Sequence, residues 1–133
     1  MSWSEFLSSI ENQRRGKSLS PHQVRARQLV ADLDGEIVGR ASFRFDLNEY
    51  LVERGGHIGY GVAPEHRRKG YATEILHQAL IVIRAQGIDD VLVTCDDDNV
   101  ASSRTIERNG GVLESVSPPS YGELESVRRY WIR

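Results

Sequence analysis

Between Gly56 and Cys95 the chain passes from a glycine-spaced stretch, through a cationic turn, into an amphipathic run and out into a continuous apolar segment. In GHIGYGVAP, Ile58, Tyr60 and Val62 alternate with Gly59 and Gly61, the two-residue period of a strand. From Gly70 to about Gln86, the residues Ala72, Ile75, Leu76, Ala79, Leu80 and Ile83 recur at i, i+3, i+4 spacing, and Gly87 stops the run. DDVLVTC is apolar without alternation, as in a strand buried on both faces. Strand, helix and strand in this order predict a right-handed crossover between parallel strands, which excludes all-helical and all-antiparallel folds. Glycine weakens a strand, so Gly59 and Gly61 predict that something approaches the backbone closely.

Other elements arrange themselves around this unit. HQVRARQLVADLDGEIVGRASFRF reads as two strands, Val24 to Leu33 and Glu36 to Phe45. Asp34-Gly35 supplies the positive φ angles that a two-residue hairpin turn needs. Upstream, Trp3, Phe6, Leu7 and Ile10 stand at helical spacing, with Gly16 as a stop. DLNEYLVERGG is a connector with room for a helical turn. A short helix starts near Asn99 and ends at Gly110, and GVLESV and SVRRYWIR close the chain as strands around Pro118-Pro119. The fold class expected is α/β, a mixed sheet flanked by helices, in a single domain over 1–133.

Composition narrows the function. A net charge of -2 over 133 residues excludes a polyelectrolyte partner for nucleic acid, so the basic cluster is local. One cysteine, Cys95, precludes an internal disulfide and predicts a reducing, cytoplasmic setting. No apolar run approaches the roughly 20 residues of a membrane span, and no signal-peptide core opens the sequence. His22, His57, His66 and His77 are scattered without partners at ligand spacing, so no metal site is expected.

The cationic turn is PEHRRKGYAT. It lies where a strand passes into a helix, and the first N–H groups of a helix lack acceptors while the dipole adds positive charge. Such an end favours a phosphate, with Arg67, Arg68 and Lys69 neutralising charge, Gly70 opening the main chain and Ala72 keeping the first turn narrow. A solvated basic loop has the same composition, so both readings stay open on this stretch alone.

Two motifs in order resolve the choice by resemblance. Arg67, Gly70 and Ala72 match the pyrophosphate loop Arg/Gln-x-x-Gly-x-Gly/Ala of the GNAT N-acetyltransferase superfamily, and Asn99, Ser102 and Gly110 match its second signature. From Val24 to Arg133 the chain resembles this superfamily, in particular a bacterial branch of predicted acetyltransferases with undefined substrates. The resemblance implies a GNAT-like mixed sheet whose central strands splay between Tyr60 and Cys95 to admit acetyl-CoA. It further implies that backbone groups of Tyr60, Gly61 and Val62 bond the pantetheine arm and polarise the thioester. Backbone N–H groups across Arg67, Arg68, Lys69, Gly70, Tyr71 and Ala72 hold the pyrophosphate, while Asn99 bonds the pantetheine and Ser102 lies near the sulfur. Asn-x-x-Ser is also a helix cap, and the two roles are compatible.

The implied reaction transfers acetyl to an amine of a small molecule or protein. A lysine-like amine has a pKa of about 10.4 and needs a base. Glu53 and His57 are the candidates, with Asp46 and Glu49 farther back; a solvated carboxylate at 53 and a bonded edge histidine at 57 are the competing readings. Family members often carry a Tyr seven residues after the Asn to protonate the departing thiolate, and here that position is Ile106. Tyr121 and Tyr130 are possible replacements, each also readable as packing. Cys95, at the end of a buried strand, reads as an inert core thiol. The family usually opens with a strand and two helices, so this chain looks N-terminally shortened, and the hairpin's outer strand is left with an edge that a homodimer or the N-terminal helix would cover. The reading from another class is a non-catalytic module that senses acyl-CoA.

Overall fold

In the computed structural model, residues 26–133 are described. The expected N-terminal helix, the first two residues of the first strand, His22 and the question of a missing strand and helix lie outside the described residues. β1 (Ala26–Leu33) and β2 (Glu36–Arg44) form the hairpin, and Asp34 and Gly35 take φ of 53° and 87°, as the turn requires. A short helix α1 (Glu49–Glu53) follows, capped by the Asn48 side chain, which accepts the Leu51 N–H at 2.9 Å. The crossover is β3 (Ile58–Val62), α2 (Tyr71–Ala85) and β4 (Val91–Asp96). α3 (Val100–Arg108), β5 (Gly111–Ser117) and β6 (Val127–Ile132) complete the chain.

Among the described residues these strands make one six-stranded sheet in the order β1-β2-β3-β4-β6-β5. β3 and β4 are parallel and every other neighbouring pair is antiparallel. The last strand in sequence inserts between β4 and β5, an order that local pattern does not encode.

α2 lies on one face because its apolar stripe has nowhere else to go. Ile75, Leu76, Ala79, Leu80 and Ile83 are buried, packing with Ala41, Phe43, Ile58 and Val93 from the sheet and with Ile106 and Tyr130. Leu76 and Ile83 are completely inaccessible, so truncating either to Ala costs about 2–5 kcal/mol. β2 and β3 alternate in step: Ala41 and Phe43 lie opposite Tyr60 and Ile58, while Arg40 and Ser42 lie opposite Gly61 and Gly59. The sheet therefore has an apolar face under α2 and an arginine-bearing face on the other side.

Its central feature is a splay. β3 and β4 are paired in register at Ile58↔Val93, next to a bridge between Gly56 and Val93, and the His57 N–H donates to the Leu92 carbonyl at 2.7 Å. Past that point the strands diverge, so Gly59–Val62 hydrogen-bond to β2 on one side and face a cleft on the other.

Candidate active site

The splay opens into two cavities that meet at Tyr60, Asn99 and Ser102. The larger, of about 720 Å³, runs from Tyr60, Gly61 and Val62 across the start of α2 to α3. The smaller, of about 320 Å³, lies on the arginine-bearing side. A separate apolar groove of about 400 Å³ between the hairpin and α2 holds Tyr71 of the motif residues and no cluster of titratable groups.

The larger cavity is built for an anion. Gly70 precedes α2 with φ 80° and ψ 4°, the left-handed region that glycine enters without cost, and no side chain caps the helix. Orphan N–H groups and the positive end of the dipole thus face the cavity. Arg68, at φ 63°, is also left-handed, which folds the loop back on itself. Arg67, Arg68, Gly70, Tyr71 and Ala72 all line this space, whereas Lys69 is exposed and does not. Arg104 and Arg108 also line it, a pair of cations that the motif reading missed. Their four-residue spacing puts both on one face of α3, and that spacing was the available signal.

At the junction, Asn99 caps α3 by accepting the Ser102 N–H at 3.1 Å, and still lines both cavities. The Tyr60 hydroxyl is 2.7 Å from Ser102 Oγ and 3.4 Å from the Ser102 carbonyl. Burial pushes the Tyr60 phenol above its ordinary pKa, so it stays protonated. Ile106 is fully buried, and a Cβ on Gly111 would come within 2.5 Å of its methyl group, so position 106 belongs to the core. Tyr130 is inaccessible and its hydroxyl lies 2.5 Å from Ser103 Oγ; Tyr121 is edge-on to Tyr50. Neither lines the cleft, so the phenol at the junction comes from β3.

The expected bases are not brought into the cleft. Glu53 accepts a hydrogen bond from Ser117 Oγ at 2.8 Å, away from both cavities. His57 is buried at the closed end of the splay, where its Nδ1 accepts the Leu92 N–H at 3.0 Å. That bond puts the ring proton on Nε2, and burial lowers the pKa, so His57 is neutral and its basic lone pair is in use. Proximity to β3 in sequence suggested both residues; strand direction carries the chain from them toward the open end. Cys95 does line the smaller cavity, but burial raises its thiol pKa to about 11, and it stays un-ionised.

The close approach expected at the glycines of β3 is made from within the chain. A Cβ on Gly59 would stand 3.2 Å from an Arg44 terminal nitrogen, and one on Gly61 would stand 3.7 Å from Arg40 Nε. What approaches the strand closely is the chain's own arginine side chains. Arg54, by contrast, is spent on structure: it binds Glu123 at 2.7 Å and the carbonyls of Pro118 and Glu125, tying α1 to the loop before β6. His66, isolated in the sequence, hydrogen-bonds Glu36 at 2.9 Å, and with Glu65 the three offer ligand atoms within 4.8 Å of one another. Among the described residues no helix is long and apolar enough to cross a membrane.

A parallel pair splayed over an uncapped helix N-terminus, continuous with a second cavity, defines the class: an acetyltransferase fold. The chain superimposes on a putative acetyltransferase, yncA from Salmonella typhimurium, solved with its cofactor acetyl-CoA; the TM-score is 0.67 at 18% identity, covering 100% of this chain and 74% of that one. A ribosomal-protein-alanine N-acetyltransferase from Brucella melitensis gives a TM-score of 0.71 at 18% identity over 98% of this chain and 78% of its own. In sequence, an uncharacterized N-acetyltransferase of Bacillus subtilis, YjdG, is 31% identical over 84 residues, 62% of this chain and 48% of that protein, so the chain matches about half the length of this curated relative. The sequence model of the acetyltransferase (GNAT) family matches residues 2–111, and the chain belongs to that family.

Proposed function

We propose that the protein transfers acetyl from acetyl-CoA to an amine. The observation that carries this reading is the pair of cavities joined at Tyr60, Asn99 and Ser102, one suited to a phosphorylated cosubstrate and the other to an acceptor. A module that only senses acyl-CoA has no need of a second cavity beyond the acyl group. Acetyl-CoA supplies the acyl group already activated as a thioester.

The chain's own groups do the rest. Main-chain N–H groups from Arg67 to Ala72 receive the pyrophosphate, with Arg67, Arg68, Arg104 and Arg108 screening its charge. Backbone groups of β3 that β4 leaves unpaired hold the amide-rich arm and polarise the thioester carbonyl. The Asn99 amide bonds the arm while its oxygen caps α3. Tyr60, kept protonated and steadied by Ser102, delivers a proton to the departing sulfur, the duty that Ile106 cannot perform, and its phenolate takes one back from the nitrogen that has bonded the acetyl carbon.

Mixing the protein with acetyl-CoA and a panel of amines tests this directly. Free thiol and an N-acetylated product of matching amount are expected. Tight acetyl-CoA binding without thiol release from any amine would favour the sensing role instead.

A further inference from the structure

The smaller cavity has a polarity that a generic amine site does not need. From β2, Arg40 and Arg44 extend over Gly61 and Gly59 into its wall. Arg40 donates to Ser42 Oγ at 3.2 Å, and Arg44 donates from one terminal nitrogen to the Gly55 carbonyl at 3.2 Å. Arg44 is half-buried, the Arg40 guanidinium adds like charge to its surroundings, and among the described residues no carboxylate pairs with it. A guanidinium carries five N–H donors, and a buried charge is ordinarily matched by an opposite one. Arg54, in the same wall, is already matched by Glu123 and two carbonyls, so the unmet charge is that of Arg44. The lining also includes two acids, Asp96 and Glu123, the second already bonded by Tyr50 and by Arg54, each at 2.7 Å.

A cavity lined by an unmatched guanidinium and by carboxylates fits a molecule carrying both charges. We propose that the acceptor is an amine that also bears a carboxylate, an amino acid or a close analogue, and that Arg44 is the residue that selects it. This rests on the acetyl-transfer reading above. The carboxylate docks on the Arg44 guanidinium in a two-point contact, while the ammonium lies toward the acids and the junction with the thioester. Polyamines, which put positive charge against Arg40 and Arg44, are rejected by the same wall. Gly59 leaves room for the Arg44 guanidinium, which a Cβ there would approach to 3.2 Å.

Matched pairs test the assignment: eight free L-amino acids against their amides, with spermidine and O-phosphoethanolamine as further arms. Thiol release is followed with acetyl-CoA, and calorimetry is run on the CoA-loaded protein. At least one acid should exceed its amide in kcat/KM and in affinity by about 10-fold or more, the worth of a charged hydrogen-bond pair. Arg44→Met should reduce that ratio to near one, and Arg44→Lys should restore part of it. Gly59→Ala, which crowds the Arg44 guanidinium without removing charge, should lower the acid-to-amide ratio. Amides or spermidine equal to or better than every acid, or an acid preference surviving in Arg44→Met, overturns the inference. A stronger response to O-phosphoethanolamine than to any acid overturns the carboxylate assignment, as does acetyl-CoA binding with no turnover or binding of any acid. Failure to bind acetyl-CoA at all fails the earlier reading and this one with it.

Discussion

Gly70 is where backbone geometry and ligand charge can be separated by two substitutions. At φ 80° any L-residue pays roughly 1–2 kcal/mol for the left-handed conformation. No heavy atom lies within 4 Å of the position a Cβ would take, so no clash adds to that cost. Gly70→Ala and Gly70→Glu should therefore both fold and melt lower by similar amounts, about 2–8 °C per kcal/mol for a domain of this general size. Only the glutamate adds negative charge at the mouth of the anion cradle. Two like charges 4 Å apart repel by about 4 kcal/mol at an effective permittivity near 20. Solvent exposure of Gly70 and a Debye length of about 8 Å reduce this to roughly 1–3 kcal/mol. Acetyl-CoA should then bind Gly70→Glu about 5–150-fold more weakly than Gly70→Ala. Calorimetric titration of the two variants and the parent makes the comparison, and the gap should narrow in about 0.5 M salt. Equal affinities for the glutamate and alanine variants would refute the anion cradle and leave the basic turn a solvated loop.

Four other outcomes follow from contacts within the fold. Tyr60→Phe, read by thiol release, should lower kcat by about 10²-fold or more at unchanged acetyl-CoA affinity, within the range for a lost proton donor. Glu53→Gln should leave kcat within about twofold, because the carboxylate faces Ser117; His57→Ala, which strips a partner from the buried Leu92 N–H, should cost about 1–3 kcal/mol in a denaturant titration. Hydrogen bonds from Tyr50 and Arg54 hold the Glu123 carboxyl below its ordinary pKa. The stability this gives is complete above the unfolded value of about 4.3 and is lost as pH falls through the lower folded value. Glu123→Gln should flatten that acid limb, as followed by melting temperature against pH.

What the sequence reveals and what it hides divide along chain distance. The crossover, the hairpin turn at Asp34-Gly35 and the helix cap at Asn99 are legible because each is written in consecutive residues with one physical cause. The anion cradle is legible for the same reason, being one turn and the helix it starts. The smaller cavity is not. Arg40 and Arg44 look like ordinary polar positions of an alternating strand until β3 brings two glycines beneath them, and Glu123 arrives from a loop about seventy residues beyond Arg54. Tyr60 reads as a core residue by its period, which it is, yet its hydroxyl reaches α3 across the gap that the splay opens. Glu53 and His57 looked near the chemistry because sequence adjacency to β3 says nothing about which end of the strand is pinched.

Backbone bonding divides the sheet into two leaves of three strands, β1-β2-β3 and β4-β6-β5, stitched at the narrow end of a wedge. A spine that short cannot by itself fix the angle between the leaves. That task falls to side chains, with Leu76 and Ile83 on α2 seated against Ile58 of one leaf and Val93 of the other. Core packing here is thus also the setting of an aperture. A missing methylene in this seam alters how wide the molecule gapes as well as how firmly it holds together, and a ligand spanning the gap lends the two leaves the cross-links that their own peptide groups do not form.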